Sequence, residues 1–237
     1  WVGMEYRYMP PVTRFVSEVH EGRAGNLKMF SIREHRFPFL KKVEDWNRFS
    51  INTGGTLVEK SCHYFDMMRH VVQANPVRVF ASGGQSVNHL DERYDGKMPD
   101  ILDNAFVVVD FENGVRAMHD LCMFAEGSRN QEEMAAVGDI GKIECLIPAG
   151  DLVFGTRNPK AVETFHVPVS EEILKAGYHH GASYFQHLAF QNAIRNGGKP
   201  AVGAEDGLWA VAIGLAAQKS IAEGRVVQMS EFDFLLE

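Results

Sequence analysis

The chain has 237 residues, 45% of them hydrophobic, enough for one large domain or two small ones around a sizeable core. Its formal charge of −7 removes the basic face that a non-specific nucleic-acid binder needs. No apolar run is long enough to span a membrane or to serve as a signal peptide, and the scattered Cys62, Cys122 and Cys145, without CxxC spacing, predict reduced thiols and a cytoplasmic setting.

The chain opens on Trp1-Val2-Gly3 rather than methionine, as a piece of a longer protein or a trimmed one would. Val12, Phe15, Val16 and Val19 recur at helical spacing, with Gly22 as a stop. Leu27 to Arg36 reads as a strand, and residues 38–53 as an irregular excursion carrying Trp46. The next helix is expected from Thr56 to just before Asn75-Pro76. Val77, Val79 and Ala81 alternate as a strand, and Asn88 to Leu102 is a polar, acidic loop. Ala105 to Phe111, apolar and β-branched, predicts a strand covered on both faces or nearly so. Glu112-Asn113-Gly114 signals a hairpin, and Val115 to Met123 returns in alternation. Met134–Val137 and Lys142–Ile147 pair around Gly138-Asp139-Ile140-Gly141, with shorter strands at Asp151–Phe154 and Glu163–Val167. Helices follow at Ser183–Arg195 and Glu205–Ala222, the second with acids in its first turn and Gly224 beyond its end, and Arg225–Gln228 is a last edge strand. Strands joined by hairpins and flanked by helices predict one α+β domain over residues 1–237, with a mostly antiparallel, open-faced sheet. Helices would cover one face; the other must meet water, another domain or another subunit.

The chemistry-bearing segment is Gly54-Gly55-Thr56-Leu57-Val58-Glu59-Lys60-Ser61-Cys62-His63-Tyr64-Phe65-Asp66. On one helix, Glu59 and His63 fall four residues apart on one face, with Asp66 and His70 continuing it. A carboxylate that orients an imidazole is the minimum for positioned acid–base chemistry near neutral pH. The competing reading of Thr56 to Glu59 is a capping box, in which Glu59 only bonds back to the helix start. A third is a metal held by Glu59 and His63, although no His or Cys cluster completes a ligand set. His179-His180-Gly181-Ala182-Ser183-Tyr184 joins a loop to a helix start and could meet a hydroxylated ligand, or be a plain cap. Arg7, Arg33 and Arg36 could bind an anionic substrate group or make ion pairs. Gly83-Gly84 and Gly197-Gly198 read as turn glycines, and neither supplies the G-x-G-x-x-G of a dinucleotide loop.

The run from Trp46 to Asp66 resembles the C-terminal domain of glucose–fructose oxidoreductase / inositol dehydrogenase (Gfo/Idh/MocA) family enzymes. So do Arg7-Tyr8-Met9-Pro10 with Glu21-Gly22-Arg23-Ala24-Gly25, Phe111 to Val115, Val137 to Glu144, Phe190 to Ile194, Asp206-Gly207 and Ser220 with Glu223 to Val227. The match runs over nearly the whole chain, and the order of the pieces gives it its specificity. The resemblance implies a dihydrodipicolinate-reductase-like α+β domain that presents the substrate and mediates oligomerisation. A separate N-terminal Rossmann domain, expected to be missing from this chain, would bind NAD or NADP. It further implies His63 as the acid–base, with Glu59 where the family usually has aspartate; His180, Tyr184 and Arg7 are the substrate contacts expected from the residues themselves. The family's catalytic lysine lies in a Glu-Lys-Pro motif of the nucleotide domain. Glu59-Lys60, followed by Ser61, is not that motif.

The implied parent is an NAD(P)-dependent oxidoreductase acting on a sugar, polyol or related cyclic alcohol. It would form a homodimer or homotetramer through the open sheet face, with no metal, nucleic-acid or membrane partner, and this chain alone would be inactive. Some family members instead use transient oxidation to break glycosidic bonds. The alternatives are a non-catalytic dimerisation or ligand-binding module, and a metal-dependent lyase or hydrolase using Glu59 and His63.

Overall fold

Alternation of apolar and polar side chains builds the centre of the molecule, a nine-stranded sheet in the order β8-β7-β6-β5-β1-β4-β3-β2-β9. The computed structural model describes residues 1–176 and 179–235. The strands are β1 (Leu27–His35), β2 (Pro76–Gly84), β3 (Asn104–Phe111), β4 (Arg116–Cys122), β5 (Glu132–Gly138), β6 (Gly141–Ile147), β7 (Asp151–Arg157), β8 (Lys160–His166) and β9 (Val227–Gln228). The helices are α1 (Pro10–His20), α2 (Ser50–Thr53), α3 (Thr56–Glu59), α4 (Cys62–Val72), α5 (Glu171–Ala176), α6 (Ala182–Asn196) and α7 (Ala204–Glu223). The first strand becomes a central one. β1 lies between β5, antiparallel to it, and β4, its parallel neighbour, with Ile32 opposite both His119 and Met134. Every other ladder is antiparallel.

Helices α1, α4 and α7 cover one face. Phe15 of α1, Phe65 and Met68 of α4, and Ile213 of α7 pack there with Phe30, Ile32, Val79, Val107 and Leu121 from the strands. Ser220 ties α7 to the sheet, its hydroxyl accepting from Ala81 N–H and donating to the Arg225 carbonyl. Among the described residues, no helix covers the opposite face. Phe106 (59% exposed) and Val108 (38%) of β3 stand on it, so this strand is half-covered rather than covered on both faces. Its outward side chains are apolar nonetheless, which is what made the sequence read as fully buried.

The helix expected from Thr56 onward is two helices. Lys60 N–H and Ser61 N–H both turn back to the Thr56 carbonyl, ending α3, and the Ser61 carbonyl then accepts from Tyr64 and Phe65 to start α4. Tertiary polar partners redirect the chain there. The Lys60 ammonium reaches Glu34 of β1 at 3.0 Å, and the Ser61 hydroxyl meets His119 Nε2 of β4 at 3.0 Å. The capping box does not form either. The residue before the first turn is Gly55, at φ +94, where a Cβ would collide with the Gln218 amide, and the Thr56 hydroxyl donates to the Leu102 carbonyl instead. Gly83-Gly84 close strand β2 rather than forming a turn, while Gly197-Gly198 follow the end of α6. The acidic loop before β3 is anchored by Asp103, whose carboxylate accepts from the backbone N–H groups of Ser86, Val87 and Asn88. Helix α5 has no counterpart among the expected elements. The excursion over residues 38–53 contains a 3₁₀ turn (Val43–Arg48) and the short α2.

Candidate active site

A cavity of about 420 Å³ opens where β1 ends and β5 begins. Its polar lining is Arg36, Gln131, Glu132, His179 and His180, and its walls are Met9, Phe37, Leu40 and Pro148. The strand pattern explains why acids sit beneath it. Phe30, Ile32 and Glu34 all point inward from β1, and Glu132, Met134 and Ala136 do so from β5. Both glutamates are therefore carried into the core, where they need partners.

Glu34 Oε1 receives the Lys60 ammonium at 3.0 Å and the Arg36 guanidinium at 3.3 Å, while Oε2 has no partner among the described residues. Burial alone would raise its carboxyl; the two cations hold it below the usual range. Arg36 also lies over the Phe37 ring, 4.3 Å from its centre. Glu132 Oε1 accepts from the Tyr6 hydroxyl at 2.9 Å and Gln131 Nε2 at 2.6 Å, and burial raises its carboxyl. Tyr6 in turn bonds Tyr64 at 3.0 Å, linking this acid to α4.

His63, on the first turn of α4, lies beside this group. Its Nδ1 is buried and stands 3.4 Å from Glu5 Oε2, and the Tyr6 ring packs between His63 and His179. Burial, with Lys60 nearby, lowers the imidazole to about 4, so His63 is neutral at pH 7 and can take a proton. Glu59 is directed elsewhere. Its carboxylate accepts from Lys42 Nζ at 2.8 Å, and the helix break removes the continuous face that would have set it against His63.

The other sequence candidates separate. His180, at φ 54, lines the cavity, and burial lowers its imidazole. Tyr184 on α6 is 39% exposed, packs on Phe185 and does not line the cavity. Arg7 does not line it either. Its guanidinium grips buried Asp66 through two bonds and reaches Asp206 at 3.1 Å, so Asp66 is an anchor and Arg7 is committed to it. His70 packs its ring against His20. Arg33 pairs with Glu133 at 2.7 Å across the open face. Glu5, Glu34, Lys60 and Glu132 were missed from sequence. A strand start at Glu132 instead of Met134 would have shown one acid at an inward position of β5, opposite Glu34 of β1, whereas Glu5 carries no local signal.

Among the described residues, no three His, Cys, Asp or Glu side chains converge to hold a metal ion. Neither Gly83-Gly84 nor Gly197-Gly198 fits a dinucleotide phosphate. A Cβ at Gly83 would strike the Asn104 carbonyl of the neighbouring strand, and Gly197-Gly198 sit at the C-terminal, electronegative end of α6, the wrong pole for a pyrophosphate. No described helix is long and apolar enough to cross a membrane.

A nine-stranded sheet covered by helices on one face is the α/β type of domain found at the C-terminal end of one oxidoreductase family. The chain belongs to the Gfo/Idh/MocA oxidoreductase family, residues 16–229 matching its C-terminal alpha/beta domain. It is 30% identical over 191 residues to myo-inositol 2-dehydrogenase of Thermotoga maritima, covering 76% of this chain and 50% of that protein. It is 28% identical over 235 residues to the uncharacterized oxidoreductase YrbE of Bacillus subtilis, covering 96% and 62%. The chain thus spans about half to two thirds of the length of these relatives. Its fold matches levoglucosan dehydrogenase in complex with NADH and levoglucosan, with a TM-score of 0.80 at 19% identity over 98% of this chain and 66% of that one. It matches an oxidoreductase domain protein from Kribbella flavida equally well, with a TM-score of 0.80 at 18% identity over 96% and 65%.

Proposed function

We propose that this chain is the substrate-presenting domain of an NAD(P)-dependent oxidoreductase acting on a sugar, polyol or related cyclic alcohol, with His63 as the acid–base. The observation that carries this reading is the neutral His63 imidazole, which does not itself line the cavity but packs on the same Tyr6 ring as His179, part of a polar lining that suits hydroxyl groups. The names of two similar proteins, a myo-inositol 2-dehydrogenase and a levoglucosan dehydrogenase, support the substrate class.

In the alcohol-oxidising direction the substrate hydroxyl gives its proton to His63. A nicotinamide, which a dinucleotide-binding domain outside these residues would hold, would supply the hydride acceptor for that carbon. Glu132 offers acceptor capacity to neighbouring hydroxyls, with Gln131 and His180 as donors or acceptors around it. Glu59, held by Lys42, secures the 38–48 segment against α3; it serves the substrate only if a hydroxyl displaces Lys42. Arg7 acts on this site from outside, by fixing α4 through Asp66, while Tyr184 packs on Phe185 away from it. The open sheet face, with Phe106, Val108 and Met118 exposed on it, is the surface through which subunits pair.

Titrating the 237-residue chain into NADH tests the division of labour. The reading expects unchanged NADH fluorescence with this chain and a response once the dinucleotide-binding domain is joined to it. Tight NADH binding by the chain alone contradicts it.

A further inference from the structure

A histidine lowered to about 4 is neutral at pH 7, yet it holds an arriving proton weakly. An acid–base in that position gains from a carboxylate that fixes its tautomer and faces the imidazolium as it forms. Glu59 does not fill that place, because its carboxylate is on Lys42.

Glu5 does. It lies in the 3₁₀ turn Glu5–Tyr8 that precedes α1, with only 17% of its side chain exposed. Oε2 is 3.4 Å from His63 Nδ1, and Oε1 is 3.9 Å from His179 Nε2. His63 Nδ1 is buried and makes no hydrogen bond among the described residues, the Glu5 carboxylate being the acceptor that faces it. Catalytic contacts are often long before substrate binds and shorten in the complex.

We infer that Glu5 is the positioning residue for His63: it keeps the proton on Nδ1, leaves the Nε2 lone pair for the substrate hydroxyl, and stabilises the imidazolium that results. This rests on the role of His63 proposed above. The step balances. The substrate O–H bond breaks, its proton forms the Nε2–H bond, and the new positive charge stands against the Glu5 carboxylate. The oxygen's electron pair becomes the second bond to carbon as hydride leaves to an oxidised nicotinamide.

The surroundings of His63 make Glu5 the carboxylate with this access. From the turn between α3 and α4 comes the Lys60 cation, which opposes protonation of His63. From β1 comes Glu34, already engaged by Lys60 and by Arg36. His179 adds a further opposing charge when protonated, and Tyr6 presents its ring. Burial raises the Glu5 carboxyl, so its affinity for a shared proton is higher than that of an exposed glutamate.

The test combines NMR of the 237-residue chain with kinetics of the protein joined to its dinucleotide-binding domain. Long-range ¹⁵N–¹H correlations at pH 7 should show His63 protonated on Nδ1. Glu5→Leu should give mixed tautomers, whereas Glu5→Asp should keep the proton on Nδ1. In the enzyme, Glu5→Gln should lower kcat at least ~10-fold with little change in KM, with Glu5→Asp recovering part of it. Unchanged His119 resonances guard against misfolding as the cause. An unmoved tautomer in Glu5→Leu, or normal kcat in Glu5→Gln, overturns the inference while leaving the role of His63 intact. Normal turnover in His63→Ala would instead remove that role itself.

Discussion

Asp66→Ala probes the joint on which the site geometry depends. Asp66 belongs to α4, the helix of His63, while its partner Arg7 belongs to the turn that carries Glu5 and Tyr6. The bond is bidentate, Arg7 Nε to Oδ2 at 2.7 Å and Nη2 to Oδ1 at 2.5 Å, with side-chain exposures of 11% and 1%. Removing one partner of a buried pair costs about 3–5 kcal/mol, because the other charge stays desolvated. Arg7 keeps Asp206 at 3.1 Å and the Ala201 carbonyl at 3.4 Å, which places the loss at the lower end, about 3 kcal/mol. For a chain of this size that lowers Tm by roughly 6–12 °C. Urea and thermal denaturation of Asp66→Ala, Arg7→Met and the double variant form a cycle whose coupling should exceed about 1 kcal/mol. A loss under about 1 kcal/mol, with additive singles, would refute the anchor and leave Arg7 available to a substrate carboxylate.

Gly214→Ala should destabilise: its Cβ would stand 2.5 Å from the Leu57 carbonyl, and overpacking of about 1–3 kcal/mol exceeds the roughly 1 kcal/mol gained in helix propensity. A higher urea midpoint would contradict the close contact of α7 with α3. His119 is buried between Ser61 and the Ile32 carbonyl, and burial lowers it from 6.5 to about 4. The unfolded chain therefore takes up this proton first, so its contribution of about 3 kcal/mol is complete above pH 6.5 and lost as pH falls towards 4. His119→Gln should flatten the stability profile in that window; an unchanged slope between pH 7 and 4.5 speaks against the buried neutral imidazole. Phe106→Glu with Met118→Glu on the open face should dissociate subunits in sedimentation velocity, and an unaltered oligomer would move the interface elsewhere.

Periodicity made most of the fold legible. The strand expected over Leu27 to Arg36, and the apolar spacing of Val12 to Val19, recur in the structure as β1 and α1. What the pattern does not carry is long-range pairing. Nothing local to Leu27–His35 announces that the first strand will sit between β4 and β5, and the break at Lys60-Ser61 depends on Glu34 and His119, residues distant in sequence. The site divides the same way. His63 was visible by helical spacing and family resemblance, because its neighbours in sequence carry the motif. Glu5, 58 positions earlier, meets it only through the fold. Arg7 was readable as a cation but not as one already neutralised, since Asp66 and Asp206 reach it from two different helices.

The account stands most directly on the proton-taking role of His63. In the protein joined to its dinucleotide-binding domain, single-turnover oxidation of a neutral polyol should slow by at least ~100-fold in His63→Ala, with substrate affinity largely kept. Turnover within a fewfold of the unaltered protein would return His63 to the role of a buried structural histidine.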